Sequence, residues 1–141
     1  MTIRVYIVED HPVMRETLVD YLHFTPDIEL CGVAASAEEA AREIEGSGAN
    51  LVLLDLSLPN RSGLDLLDEI RRRWQLPCVI LSGHGERSHV ERAFAAGANG
   101  YVLKGTPQDV PAAIRSVMEG RTFVSESLRK SLGYELDEIG A

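Results

Sequence analysis

The sequence predicts an α/β protein in which a parallel β-sheet is covered by helices on both faces. Short apolar runs without polar alternation, such as Leu-Val-Leu-Leu at residues 51–54, are typical of strands buried on both faces. Segments with helical periodicity separate these runs, so strand and helix alternate five times along the chain. A length of 141 residues fits one domain with a substantial core.

The first two strand–helix units lie in the first third of the chain. Residues 3–8 and 28–35 are rich in apolar and β-branched side chains and predict two strands. Pro12 opens the first helix, because proline is well tolerated in a first turn. Ser36 and Glu39 form a capping box that starts the second helix. The positions expected to face inward are Met14, Leu18, Tyr21, Leu22, Ala37, Ala40, Ala41 and Ile44.

Three further units complete the pattern. Residues 50–55, 77–81 and 100–103 predict the third, fourth and fifth strands. Ser62 is the expected N-cap of the third helix, and the fourth follows a loop with two glycines. Thr106 is the expected N-cap of the fifth helix, with a proline directly after it. The positions expected to face the sheet are Leu67, Ile70, Trp74, Val90, Ala93, Phe94, Val110, Ala113, Ile114 and Val117.

Right-handed connections between five such units are most simply arranged in the flavodoxin-like strand order 2-1-3-4-5. This order places strands one and three side by side at the centre of the doubly wound sheet. Residues 1–120 are expected to form this domain. Residues 121–141 are expected to form a linker, a short extra helix around residues 128–132 and an acidic tail.

Polar side chains follow four of the predicted strands. Glu9 and Asp10 follow strand one, Asp55 ends strand three, Ser82 follows strand four and Lys104 follows strand five. An isolated aspartate at a strand end most often caps a turn. Parallel strands, however, bring their carboxyl ends to one edge of a sheet, where ligands bind. The sequence therefore predicts that these side chains converge in one crevice.

The chemistry of this set favours phosphoryl transfer. Neighbouring carboxylates resist joint ionisation, and a hard cation such as Mg²⁺ relieves their repulsion. Lys104 and Ser82 are suited to contact the oxygens of a phosphoryl group. Asp55 is the expected nucleophile, since carboxylates form acyl phosphates.

The histidines are interpreted as residues outside this chemistry. His11 is expected in a loop at the rim of the crevice. His23, His84 and His89 are interpreted as surface or loop residues, with His84 able to line the mouth of the crevice. No Cys/His set predicts a softer metal at the acidic cluster.

Composition and charge exclude several other classes. A formal net charge of −8 argues against nucleic-acid binding through a basic surface. No apolar run approaches the ~20 residues that a membrane-spanning helix needs. The first strand begins almost at once, which leaves no room for a signal peptide. Cys31 and Cys78 are interpreted as buried thiols in a reducing compartment, so a cytoplasmic location is expected.

With these motifs, the sequence resembles the receiver domain of two-component response regulators over about the first 120 residues. The motifs are Val-Glu-Asp-His at 8–11, Leu-Leu-Asp-Leu-Ser-Leu-Pro-Asn-Arg-Ser-Gly at 53–63, Leu-Ser-Gly at 81–83 and Gly-Tyr-Val-Leu-Lys at 100–104. Gly-Val-Ala at 32–34 and Tyr-Val-Leu-Lys-Gly at 101–105 are most similar to the NarL/FixJ (LuxR-type) subfamily.

The resemblance implies a phospho-accepting switch. Asp55 would accept a phosphoryl group from a sensor histidine kinase. Glu9, Asp10 and Asp55 would hold magnesium (Mg²⁺) together with the backbone carbonyl of Ser57. Such a domain is not an enzyme beyond its own phosphotransfer and dephosphorylation.

The resemblance also implies how the signal would leave the site. Lys104 would contact the phosphoryl group, Ser82 would move toward it, and Tyr101 would turn inward behind Ser82. The surface formed by the fourth helix, fifth strand and fifth helix would change. Helices one and five, and the face around the fifth strand, are each candidate surfaces for a homodimer.

Some features depart from the family pattern or leave alternatives open. Gly105 stands where many receivers have a cis proline after the lysine. Residues 120–125 resemble the junction before a helix-turn-helix domain, yet too little chain follows for one. The chain is therefore either a fragment of a transcription regulator, which would bind DNA through an output domain outside this chain, or a single-domain receiver.

Two other functions compete with the phospho-accepting switch. One is a phosphorylation-independent interaction module with the same fold. The other is a nucleotide- or flavin-binding protein, but no glycine-rich phosphate loop follows strand one, where Glu9 and Asp10 would repel a cofactor phosphate.

Overall fold

The computed structural model describes residues 2–58 and 62–133. Residues 59–61 and the predicted acidic tail from residue 134 onward lie outside the described residues. The strands are β1 (Ile3–Val8), β2 (Ile28–Ala34), β3 (Leu51–Asp55), β4 (Cys78–Ser82), β5 (Gly100–Leu103) and β6 (Phe123–Val124). The helices are α1 (Pro12–His23), α2 (Ala37–Ser47), α3 (Gly63–Arg73), α4 (Arg87–Ala95), α5 (Val110–Met118) and α6 (Glu126–Leu132).

The strands form one parallel sheet in the order β2-β1-β3-β4-β5-β6. The α/β class and the order 2-1-3-4-5 are therefore confirmed. Strand β6 extends the sheet where the sequence predicts only a linker. Its two residues pair with β5 through Gly100 to Phe123 and Tyr101 to Val124.

The segment after β5 is also tied to the sheet by Ser125, which is fully buried. The Ser125 amide donates to the Tyr101 carbonyl at 3.0 Å, and the Ser125 hydroxyl accepts from the Leu103 amide at 3.1 Å. Leu128 of α6 is buried in the same core cluster as α4. The predicted extra helix is therefore present and packs on the domain.

Two apolar clusters lie on opposite faces of the sheet. Alternate residues of β3 point to each: Val52 and Leu54 join α2, α3 and α4, whereas Leu51 and Leu53 join α1 and α5. All five residues of β3 are buried, as an unalternating apolar run predicts. Each buried leucine contributes about 1.5–3 kcal/mol of transfer free energy. The central strand, and the carboxylate at its end, are therefore held from both sides.

Most predicted inward positions are buried, including all four of α5: Val110, Ala113, Ile114 and Val117. The others that are buried are Leu18, Leu22, Ala37, Ala40, Ile44, Leu67, Ile70, Val90 and Ala93. The prediction for Tyr21 is wrong, since 37% of its surface is exposed at the edge of the α1 stripe. Met14, Ala41, Trp74 and Phe94 are half-buried at the margins of the two cores.

Helix α1 begins at Pro12 as predicted, and the predicted side-chain N-caps are correct in two of three cases. Ser36 accepts a hydrogen bond from the Glu39 amide at 3.2 Å, and Ser62 accepts one from the Leu64 amide at 3.1 Å. Thr106 makes no such cap. Instead a short 3₁₀ turn, Pro107–Asp109, precedes α5 and supplies its first bonds.

Gly63 sets how closely α3 approaches the end of β3. A Cβ atom at this position would lie 2.5 Å from the Leu56 Cα and 2.8 Å from the Leu56 carbonyl oxygen. Neither backbone atom can move far without moving the residue after Asp55. A residue without a side chain is thus required for this turn.

The two cysteines differ in exposure. Cys78 is fully buried, and burial raises the pKa of its thiol to about 12, so it remains neutral. Cys31 on the edge strand is only half-buried, which corrects the expectation of full burial. Both thiols are free. Across the described ranges, no helix combines the length and apolar character that crossing a bilayer demands.

Candidate functional site

The carboxyl ends of four neighbouring strands form the candidate site. In the sheet β1, β3, β4 and β5 lie side by side, and each leaves it at the same edge. Glu9 and Asp10 follow β1, Asp55 and Ser82 end β3 and β4, and Lys104 follows β5. The structure therefore brings all of these residues to one edge, as the topology predicts.

Three carboxylates lie together there with little access to water. Glu9 and Asp55 are fully buried, and 25% of the Asp10 side chain is exposed. One ligand atom from each of Glu9, Asp10, His11 and Asp55 lies within 4.8 Å of the others. No hydrogen bond within the described residues reaches the buried oxygens Glu9 Oε1, Asp10 Oδ1 and Asp55 Oδ2, although a nitrogen of His11 or Lys104 lies near the last two. Buried carboxylates of this kind are stabilised by a nearby cation or by protonation.

Lys104 supplies part of that positive charge. Its Nζ lies 3.0 Å from Asp55 Oδ2 and 3.4 Å from Glu9 Oε2. The Lys104 amide donates to the Ser82 carbonyl at 2.9 Å, which fixes the backbone that carries the ammonium group. One ammonium cannot balance three ionised carboxylates. The remaining negative charge and the unpaired oxygens fit a hard divalent cation with oxygen ligands.

The environment of Asp55 favours its neutral form. Burial raises the pKa of the Asp55 carboxyl, because desolvation disfavours the charged state. The contact with Glu9 acts in the same direction. The Ser57 amide opposes both, since it donates to Asp55 Oδ1 at 2.8 Å and favours the ionised carboxylate. Ser57 thus lies beside Asp55, and the role of its carbonyl remains a prediction.

Ser82 and Tyr101 both bond to the backbone of His84 rather than to the carboxylates. The buried Ser82 hydroxyl accepts a hydrogen bond from the His84 amide at 3.0 Å. Tyr101 is fully buried, and its hydroxyl donates to the His84 carbonyl at 2.7 Å. Burial raises the pKa of the Tyr101 phenol. The structure therefore holds Tyr101 turned inward.

His11 lies at the rim of the crevice, as the sequence predicts, but its contact with the acidic cluster is not predicted. Although 57% of its side chain is exposed, its Nδ1 lies 3.1 Å from Glu9 Oε2 and 3.2 Å from Asp10 Oδ1. The same atom is 3.2 Å from Lys104 Nζ. Its place directly after the acidic pair is the signal that points to this role. His11 is thus both at the rim and in contact with the cluster.

Arg15 is a second residue that the sequence does not single out. Its guanidinium donates to the Glu9 carbonyl at 3.0 Å and to the Asp10 carbonyl at 3.4 Å. These bonds join α1 to the loop that carries the acidic pair. Arg15 therefore positions the carboxylates without contacting them.

Comparison with known proteins identifies the class to which this fold and site belong. The family model for the response regulator receiver domain matches residues 5–115. The chain belongs to this family. In addition, a crystal structure of a LuxR-family two-component response regulator from Aurantimonas sp. SI85-9A1 is 30% identical, with a TM-score of 0.87. The match covers 94% of this chain and 96% of that one.

Curated relatives lie in the NarL-type branch of the family. The nitrate/nitrite response regulator protein NarL of Escherichia coli K12 is 31% identical over 94% of this chain. The DNA-binding transcriptional activator DevR/DosR of Mycobacterium tuberculosis is 31% identical over 92% of it. The chain spans 62% and 61% of the length of these two relatives. The expected resemblance to the NarL/LuxR-type subfamily is confirmed.

Proposed function

We propose that this chain is a phospho-accepting receiver in which Asp55 takes a phosphoryl group from the phosphohistidine of a sensor histidine kinase in a Mg²⁺-dependent reaction. One observation carries the proposal. A buried Asp55 lies 3.0 Å from the Lys104 ammonium, among carboxylate oxygens that lack hydrogen-bond donors. Such a site is suited to a reaction in which negative charge enters and must be neutralised.

The transfer conserves charge and atoms in a simple way. An oxygen of the ionised Asp55 attacks phosphorus, and the bond from phosphorus to the imidazole nitrogen breaks. The electron pair stays on that nitrogen, and Asp55 becomes an acyl phosphate. Attack by water on phosphorus later releases inorganic phosphate and restores the carboxylate.

Several groups of the cluster would together neutralise the negative charge of the phosphoryl group. Lys104 already faces Asp55 and would contact a phosphoryl oxygen on it. Glu9, Asp10 and Asp55, with the Ser57 carbonyl, would hold Mg²⁺. Bound there, the ion supplies positive charge next to the transferred group. Ionised Asp55 is the reactive form, so compensating charge near this raised-pKa carboxyl favours the reaction.

The contacts around His84 suggest how the signal would leave the site. Ser82 still has a hydroxyl proton to donate, and a phosphoryl oxygen is a stronger acceptor than a neutral group. Movement of Ser82 toward that oxygen would disturb its bond with the His84 amide. Tyr101 donates to the carbonyl of the same residue, His84, so β5 and the surface with α4 and α5 would respond.

We also propose that this receiver controls a DNA-binding output domain in a cytoplasmic transcription regulator. The relatives are a response regulator and a DNA-binding transcriptional activator, and this chain spans only part of each. A net charge of −8 is unfavourable for direct DNA contact by the receiver itself. Homodimerisation through α1 and α5, or through the face around β5, would transmit the phosphorylated state.

The test is intact mass after incubation with acetyl phosphate, with and without Mg²⁺. Wild type should gain an acid-labile phosphoryl adduct only with Mg²⁺, and Asp55→Asn should gain none. Asp20→Asn, the same change on the exposed side of α1, should behave as wild type. Adduct formation in Asp55→Asn, or none in wild type with bound Mg²⁺, would overturn the proposal. The second result would favour a phosphorylation-independent interaction module.

A further inference from the structure

A second group of potential metal ligands lies outside the acidic cluster. It consists of His84 in the loop between β4 and α4, Glu86 at the N-cap of α4, and His89 in its first turn. One ligand atom from each lies within 4.8 Å of the others. The imidazole rings of His84 and His89 are stacked, with centroids 4.3 Å apart and planes 7° apart. Both histidines are therefore held together on one side of the loop.

The donor atoms of this group lie close together, and an ion would contact all three once the exposed His84 ring turns out of its stack on His89. Glu86 Oε2 lies 3.6 Å from His84 Nδ1 and 3.3 Å from His89 Nδ1. His89 Nδ1 is shielded from solvent and makes no hydrogen bond within the described residues. A ring nitrogen that is shielded from water, makes no hydrogen bond and lies next to a carboxylate oxygen is free to act as a metal ligand.

The chemistry of the donor set indicates the class of ion. Two imidazoles and one carboxylate suit Zn²⁺ and similar divalent transition metals, whereas Mg²⁺ prefers oxygen ligands alone. The side chains of His84 and Glu86 are 53% and 62% exposed, so an ion could enter and retain water. This set differs from the acidic cluster in both ligand type and location.

We propose that His84, Glu86 and His89 form a binding site for a divalent transition-metal ion of the Zn²⁺ type. Bound there, the ion would tie the loop after β4 to the first turn of α4. The loop residue is His84, whose amide donates to the Ser82 hydroxyl and whose carbonyl accepts from Tyr101. Metal occupancy would thereby restrain His84, the residue on which the proposed phosphorylation signal depends.

The test is calorimetric titration with Zn²⁺ in excess Mg²⁺, which is added to compete with Zn²⁺ for the acidic cluster. Wild type should bind one equivalent of Zn²⁺. The variants His84→Gln, Glu86→Gln and His89→Gln should each bind Zn²⁺ about tenfold to a hundredfold more weakly. The matched controls are His23→Gln, on the exposed end of α1, and His11→Gln, in the acidic cluster. Both should bind as wild type does.

A second measurement requires no variant. On addition of Zn²⁺, the imidazole NMR resonances of His84 and His89 should shift together, while those of His23 should not. Absence of Zn²⁺ binding by wild type would overturn the proposal. Loss of binding in His11→Gln with retention in His89→Gln would also overturn it, because the ion would then lie in the acidic cluster. Asp55 phosphorylation does not enter either readout, so the two proposals fail separately.

Discussion

Replacing Lys104 by methionine keeps a long side chain but removes the ammonium group that faces the acidic cluster. At 3.0 Å from Asp55 Oδ2, with an effective dielectric constant of about 20, the attraction is about 5.5 kcal/mol. Desolvation of the ammonium, whose side chain is only 17% exposed, offsets part of this. We therefore expect Lys104→Met to lower the free energy of unfolding by about 2–4 kcal/mol at neutral pH without divalent cation.

The pH dependence of this effect has a definite sign. Because the folded-state pKa of Asp55 is raised, its ionisation costs stability above that pKa. That cost disappears as the pH falls below the ordinary carboxyl value of 3.8. Lys104 offsets the cost only while the cluster is ionised. The loss of stability in Lys104→Met should thus shrink as the pH falls toward 3.8.

The assay is urea unfolding of wild type and Lys104→Met at neutral and acidic pH, with and without Mg²⁺. The control is Lys130→Met on α6, whose 77% exposed side chain pairs with Glu126. This change should cost no more than about 0.5 kcal/mol. Adding Mg²⁺ should restore much of the stability lost in Lys104→Met. The electrostatic reasoning would be refuted if the two variants lost equal stability. It would also be refuted if the loss in Lys104→Met changed neither with pH nor with Mg²⁺.

Three further outcomes are expected. Gly63→Ala should lower the free energy of unfolding in urea by about 1–3 kcal/mol, because the new Cβ would lie 2.5 Å from a backbone atom. The control Gly46→Ala, with open space around it, should be neutral or stabilising. Tyr101→Phe should cost about 1–2 kcal/mol in the same assay, since a buried hydroxyl that donates at 2.7 Å is lost; a cost near zero would contradict this. Asp27 has a pKa lowered to about 2 by its hydrogen bonds with Arg115, so this pair stabilises the fold above pH 3.8 and is lost as the pH falls through about 2. In an NMR titration, Arg115→Gln should return the Asp27 pKa toward 3.8, and an unchanged value would disprove the assigned cause.

The sequence predicts the sheet and the edge of the site well because both follow from strong, local patterns. An unalternating apolar run such as β3 has few other structures open to it, and parallel topology then brings Asp55 and Lys104 together. This convergence requires only the strand order, not the orientation of any one side chain. Asp55 and Lys104, which are 49 positions apart, could therefore be placed in one crevice.

The features that the sequence does not predict depend on tertiary contacts. Strand β6 has two residues, too few for any periodic signal, and exists because β5 offers it a partner. His11 is a polar residue in a loop, and the sequence therefore predicts only that it is exposed. Its contact with Glu9 is visible only in the three-dimensional arrangement of the cluster. Thr106 has the residue type of an N-cap, but the 3₁₀ turn after it satisfies the helix start instead.

The pairing of β6 with β5 also bears on where this domain can be divided. If the chain were cut at residue 120, β5 would become the outer strand of the sheet, and its backbone groups that now pair with β6 would lose their partners. Such an edge invites a strand from another molecule. The cut would also remove Ser125 and Leu128, both of which are buried. A fragment that ends before β6 would therefore tend to self-associate, and the short strand acts as a guard against edge-to-edge aggregation.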